Sequence, residues 1–578
     1  MLFLHLLAFS PIATFALTLC ALSNSYKPSL TDTCAVGAPR ASAHAARGEV
    51  EAVAVLLDNT AGGAGTVTLE LLWDGGSAPV GVTASAPLLL GYVHTEKSPR
   101  YGASATGWFA DALLPWPAGG APLGPQLAAW FNFNVSAAAA PGTYTGTITT
   151  GTSPAADAPL PFSLTVYSYT VPPLAASPFT TVYAFDSDIL PRVYDPARVD
   201  INATRVAYLD ALAGLRFPAT NIYASAPLPI EEYEYLAAQG APILILADIS
   251  GLPFGEGGVA PYASRGSVRS GAAPRRAAAA ACPTFSPAYV SKMVVLLQPT
   301  WDALTALGLQ ARATVYGFDE IDSSCEPAVR QLFASVKAAF PGVRTLSAID
   351  WHTVPLDLPL DVWVLQYQLV DRNVTDAWIA AGHELFVYHC IEPSGAAYLN
   401  TFNEVSLIQA RLLFWYDYLL QVTGHLYYDT ALWLDCALVP PFYAQYTTVS
   451  GVTFQQGHAP LASRPEDTRL LTWDPANWIW APQTTIWANG DGVFLYPGAA
   501  GADGVGRPVS TIRFEAQRDG VEDFHVMRAA AAVGGAAAVD AIVRQLVSAP
   551  TVWSQNVTLL EEGRVALLTL ASGGARAE

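Results

Sequence analysis

From Pro178 onward the chain alternates short apolar runs with longer amphipathic stretches. The runs are Thr180–Phe185, Thr220–Ala224, Pro242–Ala247, Ala313–Phe318, Arg344–Ile349, Asp361–Tyr367, Leu385–Cys390 and His425–Tyr428. Runs this short and this continuously apolar predict strands covered on both faces. Between them, Asn202–Leu215, Ser286–Leu307, Ala328–Ala339 and Phe402–Leu420 predict helices. The second of these opens on Ser286 as N-cap, with Pro287 in the first turn, where a missing N–H costs nothing. Strand–helix alternation implies a parallel sheet, and eight such units over this length predict a (β/α)8 TIM barrel. A doubly wound sheet is disfavoured, because no glycine-rich phosphate loop follows the first strand.

Upstream, between about Gly48 and Val171, the period changes to two. Glu49–Leu57 and Thr66–Trp73 alternate on either side of a turn at Asn59–Gly65, and Leu127–Val135 and Gly142–Thr149 do so around Ala137–Pro141. Paired short strands with Gly and Pro turns predict an antiparallel β-sandwich. Val171-Pro172-Pro173 is a stiff connector. The chain thus divides into a leader (1–23), a sandwich (24–175) and a barrel with a C-terminal extension (176–578). Gly255–Ala281, with Arg265, Arg269, Arg275 and Arg276, predicts a surface insertion after the third strand, a lid being the less favoured alternative. Pro440–Asn489 is irregular and carries Trp473, Trp478, Trp480 and Trp487. Gly492–Pro497 predicts one more strand, and Phe514–Ala532 and Ala536–Leu546 predict helices of an outer ring or cap.

Composition narrows the function. Hydrophobic residues make up 52% of the 578, so large cores can form. The 29 Lys and Arg against 48 Asp and Glu leave a net charge of −19, which argues against nucleic acid or anionic lipid as partner. Met1–Ser23 is almost wholly apolar and ends in the small residues Ala21-Leu22-Ser23, as a secretory leader does. No Lys or Arg precedes the run and Pro11 interrupts it, so an uncleaved N-terminal anchor is the competing reading. No other stretch is long and apolar enough to span a membrane. Sequons at Asn134, Asn202, Asn373 and Asn556 agree with a secreted or lumenal protein. Loss of Cys20 with the leader would leave Cys34, Cys282, Cys325, Cys390 and Cys436. Buried thiols with no more than one bridge are the favoured reading of that odd set.

The candidate chemistry sits at strand ends, where parallel barrels place their active sites. The fourth run ends in Asp319-Glu320, the fifth in Asp350, Trp351 and His352, the sixth in Gln366 and Tyr367. The seventh gives Tyr388 and His389, the eighth Tyr428 and Asp429, with Trp433 close behind. Carboxylates among Trp, Tyr and His suit sugars, whose ring faces stack on aromatics while their hydroxyls need acceptors. Two carboxyl groups ordinarily cleave a glycosidic bond. Adjacent strand residues point to opposite faces, but a turn at the strand end can aim both at the mouth. In that scheme Glu320 is the general acid/base, with a pKa raised by the Asp319 charge and partial burial. Asp319 orients a 2-acetamido group that acts as nucleophile. The competing bland reading is a helix N-cap with an acidic first turn. No His/Asp/Glu spacing suits a metal, no cofactor is implied, and no GxSxG elbow is present. Two readings stay open for Arg513, a ligand contact or a pair with Asp519 or Glu522, and two for Asp491 and Tyr496, lining of the mouth or a turn and a core aromatic.

YGFDE at Tyr316–Glu320, followed by a helix and the strand FPGVRTLSAID, resembles the catalytic segment of glycoside hydrolase family 123. RLLFWYDYLLQVTGHLYYD (Arg411–Asp429), GDGVFLYPG (Gly490–Gly498), STIRFEAQRDGVEDF (Ser510–Phe524) and PGTYTGTITT (Pro141–Thr150) resemble further segments of that family. The resemblance covers most of the chain after about Gly48. It implies a β-N-acetylgalactosaminidase that retains configuration by substrate assistance, with Asp319 and Glu320 as the catalytic pair. Two alternatives stay open: a protein nucleophile such as Asp429 opposite Glu320, and a catalytically silent barrel that binds carbohydrate.

Overall fold

The computed structural model describes residues 17–574, apart from 61–64, 96–106, 152–157, 255–281, 394, 396, 432–445, 450–451, 456–459, 462–478 and 481–489. The Gly255–Ala281 insertion and most of Pro440–Asn489 therefore lie outside the described residues.

The eight apolar runs become one sheet of 8 parallel strands. In chain order these are Thr180–Ala184, Ala219–Thr220, Leu244–Asp248, Ala313–Tyr316, Arg344–Ala348, Val362–Gln366, Glu384–Tyr388 and Gly424–Tyr427. Their spatial order runs second, first, eighth and then down to third, which is a nearly closed (β/α)8 barrel. At the seam between second and third strands the Asp248 N–H donates to the Ala224 carbonyl at 2.8 Å. Val362 and Val364 face the barrel interior with Leu346, Phe386 and Leu426. Trp363 and Leu365, between them in sequence, face the surrounding helices. Both faces are apolar, which is why the run is continuous rather than alternating.

The N-terminal strands form two facing sheets. One contains Thr18–Leu22, Glu49–Asp58, Gln126–Val135 and Leu88–Thr95; the other contains Ala41–Arg47, Leu160–Thr170, Gly142–Thr150 and Leu69–Trp73. The local pairs expected from sequence do not form. Glu49–Asp58 lies between Thr18–Leu22 and Gln126–Val135, while Leu69–Trp73 pairs in the opposite sheet with Gly142–Thr150. In each case the two strands lie in different sheets. Residues of Glu49–Asp58 serve two cores in alternation. Val53, Val55 and Leu57 enter the sandwich with Phe131 and Phe162. Ala52, Ala54 and Leu56 meet Trp130, Leu407, Ile512 and Ala516 on the barrel side.

The expected leader overlaps the first of these strands. Thr18–Leu22 pairs along Ala54–Asp58, and Cys20 is disulfide-bonded to Cys34 with a Cα separation of 5.6 Å. A second bridge joins Cys282 to Cys325 at 5.2 Å, and Cys390 is free. The expectation of no more than one bridge is corrected: the described chain has two, because pairing of the N-terminal strand brings Cys20 to Cys34. Cys436 lies outside the described residues.

The helix Ile512–Gly534 was expected in an outer ring, yet it runs through the centre of the molecule. Arg513, Glu515, Arg518, Asp519, Glu522 and Asp523 are all buried along it. Phe514, Val521 and Phe524 pack into the barrel core, whereas Ile512 and Ala516 pack against the sandwich. At Gly520 a Cβ would lie 2.8 Å from the Arg411 carbonyl and 2.6 Å from the Phe414 ring. Only glycine lets the helix Ile408–Leu420 approach this closely.

The buried charges on the helix are paired, Arg518 with Glu515 and Asp519 of the same helix and the others with partners elsewhere. Asp523 receives Arg411 at 2.6 Å, Arg564 at 2.7 Å and the Trp415 indole N–H at 2.8 Å. The Arg411 and Arg564 charges hold Asp523 below the usual carboxylate range against its burial. Arg564 also pairs with Glu49 and Glu51 of the sandwich, at 2.8 Å each. Arg513 pairs with Asp111 of the sandwich at 2.7 Å rather than with Asp519 or Glu522. Asp519 is taken by Arg518 and Glu522 by Arg216. Asp523→Ala would leave Arg411 and Arg564 with a buried partner missing. A loss of about 3–5 kcal/mol is expected for breaking such a pair from one side, read as a lower urea midpoint. A midpoint within error of wild type would show that the pairs carry no net stability.

Candidate active site

The fourth barrel strand stops at Tyr316, and the next residues turn sharply. Phe318 and Glu320 both adopt left-handed backbone, with φ of 61° and 52°. Non-glycine residues there cost roughly 1–3 kcal/mol each unless the surroundings hold them. Here they are held. The Phe318 N–H donates to Ser250 Oγ at 2.9 Å, and Ser347 Oγ donates to the Phe318 carbonyl at 2.8 Å. The Glu320 N–H donates to the Ala348 carbonyl at 2.7 Å. Ser250 in turn donates to Asp248 at 2.8 Å. The Phe318 ring is buried edge-on against Phe285 and Phe333. The turn breaks strand alternation, which is how two consecutive carboxylates come to share one mouth.

Their environments differ. Asp319 is half-buried and Glu320 exposed. Asp319 accepts the Tyr316 hydroxyl at 2.5 Å and the Tyr223 hydroxyl at 3.4 Å. Burial, and next the Glu320 charge, push its carboxyl up to about 7. Asp319 is raised because it lies deep and faces its neighbour's charge. Glu320 Oε1 accepts the Tyr388 hydroxyl at 2.7 Å. That hydroxyl also lies 3.1 Å from Asp350 Oδ2. Asp350 accepts from the Gln366 backbone and side-chain amides at 3.2 and 2.9 Å. Burial pushes Asp350 up to about 6, with the Glu320 charge adding to it. Further round the barrel, Asp491 accepts Tyr427 at 2.8 Å and Tyr428 at 3.0 Å, and burial pushes it up to about 6.

Of the residues expected to bind sugar, Tyr388 reaches Glu320 and Tyr428 reaches Asp491. Others have different employment. Trp351 is buried and its indole donates to the Ile321 carbonyl at 2.7 Å, clamping the chain just after the carboxylate pair. Tyr367 is buried and donates to the Leu399 carbonyl. His389 is buried between His425 at 2.9 Å and Thr401 at 3.1 Å, and burial keeps it neutral. Asp429 is buried and accepts the Ala431 N–H at 2.9 Å. These four side chains present little or no free face to a ligand. His352 is exposed, and Trp433 lies outside the described residues. Tyr496 donates to Asp111 at 2.6 Å, away from the mouth. Sequence reasoning passed over Tyr223, Asp248 and Tyr316 as site residues. The signal was present, since Tyr223 and Asp248 end the second and third runs and Tyr316 opens YGFDE itself. Among the described residues no group of three or more His, Cys, Asp and Glu could hold a metal ion. A cavity of about 310 Å³ lies elsewhere, lined by Asn132, Asn134, Glu515 and Arg518 between sandwich and barrel.

A parallel barrel with several carboxylates gathered at the carboxyl ends of its strands has the architecture of a glycoside hydrolase. The glycoside hydrolase 123 catalytic domain matches residues 272–530, and over that stretch the chain is similar to that family. It is similar to a family 123 glycoside hydrolase from Clostridium perfringens whose glycolipid glycan hydrolysis has been analysed structurally. That likeness has 12% identity and a TM-score of 0.65, and covers 97% of each chain. At that identity it shows the shared fold. A family 39 glycoside hydrolase from Bacteroides cellulosilyticus WH2 is similar at 11% identity over 68% of this chain and 75% of that one, with a TM-score of 0.29. No curated protein matches the chain.

The raised carboxyl makes a stability prediction. With its pKa near 7 when folded and about 4 when unfolded, Asp319 binds more protons in the folded state. Its contribution is fully present below about pH 4 and is lost as pH rises through about 7. Asp319→Asn keeps an acceptor for the phenols and removes the charge. The variant is expected to melt higher than wild type at pH 8, by roughly 1–3 °C, with the gain vanishing by pH 5. A variant that melts lower at pH 8 would show that the carboxylate is well stabilised where it sits.

Proposed function

We propose that this glycoside hydrolase releases terminal β-linked N-acetylgalactosamine, or a closely related N-acetylhexosamine, from glycoconjugates by substrate-assisted retaining hydrolysis. The observation that carries the reading is the division of labour within Asp319-Glu320. The deeper carboxylate is gripped by two phenols and the outer one is exposed at the mouth. Glu320 is placed to protonate a glycosidic oxygen whose aglycone departs toward solvent. The substrate's acetamido oxygen attacks C1 as that bond breaks, closing a five-membered oxazolinium ring. Asp319 accepts the acetamido N–H, which aims the oxygen and offsets the positive charge that develops. Glu320 then takes a proton from water as the ring opens, so configuration is retained and the acid is restored. Two carboxyl groups this close do not both ionise freely. One proton kept between them is what an acid beside a charge stabiliser requires. The glycolipid substrate class of the Clostridium perfringens relative supports a glycan chain end as the target.

A second reading, with a protein carboxylate as nucleophile, now has Asp350 as its better-placed candidate. Asp350 shares the Tyr388 hydroxyl with Glu320, whereas Asp429 holds the Ala431 N–H. Aryl β-glycosides with and without a 2-acetamido group separate the readings. Turnover is expected only for the 2-acetamido sugars, with kcat about 10²–10³-fold lower in Asp319→Asn. Equal turnover of plain galactoside would abandon substrate assistance. Sugar binding without any turnover would make the barrel a binding module.

We also propose that the protein works outside the cytosol. Two disulfides support this, as do the exposed positions of Asn134, Asn202, Asn373 and Asn556. No described helix is long and apolar enough to cross a membrane. Cleavage after Ser23 would remove a paired strand and one disulfide. N-terminal sequencing of the exported protein is expected to find a start upstream of Thr18. A start at Asn24 would show that the fold dispenses with this strand.

A further inference from the structure

We propose that Asp350 is a positioning residue that shares a proton with Glu320 through the Tyr388 hydroxyl and thereby sets when Glu320 can act as acid. The inference rests on the reading of Glu320 as the acid/base. Its basis is the orientation of one amide. Gln366 Oε1 accepts from Gln368 Nε2 at 2.5 Å, so the Gln366 side chain presents its NH2 in the other direction. There Nε2 lies 2.9 Å from Asp350 Oδ2 and 3.1 Å from the Tyr388 oxygen. The phenol oxygen thus already receives one N–H, and the phenol has a single proton of its own to give.

Two carboxylates compete for that proton: Glu320 at 2.7 Å and Asp350 at 3.1 Å. Whichever carboxyl does not receive it faces the phenol's remaining lone pair. At that distance it is stable when it carries a proton and donates. One extra proton therefore satisfies the trio, and it has two equivalent placements. If Asp350 holds it, Asp350 donates to Tyr388 and Tyr388 donates to a charged Glu320. If Glu320 holds it, the direction reverses. Passage between the two breaks the Asp350 O–H as a new Tyr388 O–H forms, while the old phenol proton moves to Glu320. No other reactant is needed. The remaining ionisable groups facing the trio are Asp319, beside Glu320, and the Cys390 thiol, beside Tyr388. Burial raises Asp350 and Tyr388, which keeps the phenol intact and leaves the carboxyls as the partners that exchange the proton.

The arrangement gives Asp350 a sign. Once charged, it opposes loss of the Glu320 proton, as like charges do. Asp350→Asn should then let Glu320 lose its proton at lower pH. The alkaline limb of kcat/KM is expected to move down by about one pH unit, a tenfold loss at fixed alkaline pH, with KM little changed. In the Tyr388→Phe background the same substitution should move the limb far less, because the route between the carboxyls is cut. An equal loss at every pH, or an undiminished shift without the hydroxyl, would overturn the proposal. So would a 2-fluoro sugar trapped covalently on Asp350. If wild type cleaves no glycoside, the acid/base reading fails separately. The shared proton is then read by infrared titration of the carboxyl band. A protonated carboxyl titrating near pH 6 should vanish in Asp350→Asn and shift in Tyr388→Phe; a band unmoved by Tyr388→Phe would overturn the sharing.

Discussion

The helix Ile512–Gly534 must bury six charged side chains, and no single layer of the molecule can pair them all. Asp111 comes from the sandwich, Arg216 and Arg411 from the barrel, and Arg564 from the C-terminal helix, where it also pairs with Glu49 and Glu51 of the sandwich. An ion taken out of water is tolerated only when its partners are complete. Sandwich and barrel therefore cannot separate without exposing or stranding these groups. The N-terminal sheet is thus part of the catalytic unit's own core rather than an appended module. Alternate residues of Glu49–Asp58 point to either side of that boundary. The strand Ile479–Trp480, far along the barrel sequence, adds parallel to Leu88–Thr95 of the sandwich.

Rigidity of this kind is what a strained turn needs. Phe318 and Glu320 keep left-handed backbone because the two neighbouring strands supply donors and acceptors at fixed positions, through Ser250 just past the third and through Ser347 and Ala348 in the fifth. Asp248 fixes Ser250 from beneath. Its own carboxyl is raised to about 6, chiefly by burial, so the prop is itself a buried acid. Strain in the backbone and desolvation of the carboxylates are two expressions of one demand: two adjacent acids must face the same small volume. Relaxation of either would return Asp319 and Glu320 to opposite sides of the chain.

The barrel was legible because parallel strands are covered on both faces, and a doubly covered strand leaves an unbroken apolar run. Seven runs became strands largely where expected, while the second strand, Ala219–Thr220, shares only Thr220 with its predicted run. The Asp319-Glu320 turn was legible for the same local reason. The sandwich pairing was not, because the alternation in Glu49–Leu57 and Thr66–Trp73 marks each strand but says nothing about which sheet receives it. The N-terminal strand was hidden by ambiguity, since a buried edge strand and a leader are both short apolar runs. The central helix was hidden by its charges. A helix carrying Arg513, Glu515, Arg518, Asp519, Glu522 and Asp523 reads as solvated unless the partners are known, and those lie up to hundreds of residues away. Trp351 and His389 show the converse error. An aromatic at a strand end satisfies the rule for a sugar site, yet one indole clamps a carbonyl and one imidazole fills a buried chain from Asp417 through His425 to Thr401.

The mouth gathers Asp319, Glu320 and Asp350, with Asp491 further round, and Asp319, Asp350 and Asp491 are each raised toward 6 or 7. Arg513 is the cation that eases Asp491, yet it is already committed to Asp111. In the free protein this crowding of like charge costs stability. In the cleavage proposed above the sugar ring gains positive charge, and the same crowding would become favourable at the moment the charge appears. An interaction that is repulsive in the ground state and attractive in the transition state lowers the barrier by both changes. The phenols of Tyr223, Tyr316, Tyr388, Tyr427 and Tyr428 have a further part in this. They donate to the carboxylates without adding positive charge of their own. A lysine or arginine in any of those positions would have stabilised the resting site more and cancelled the negative field that the reaction uses.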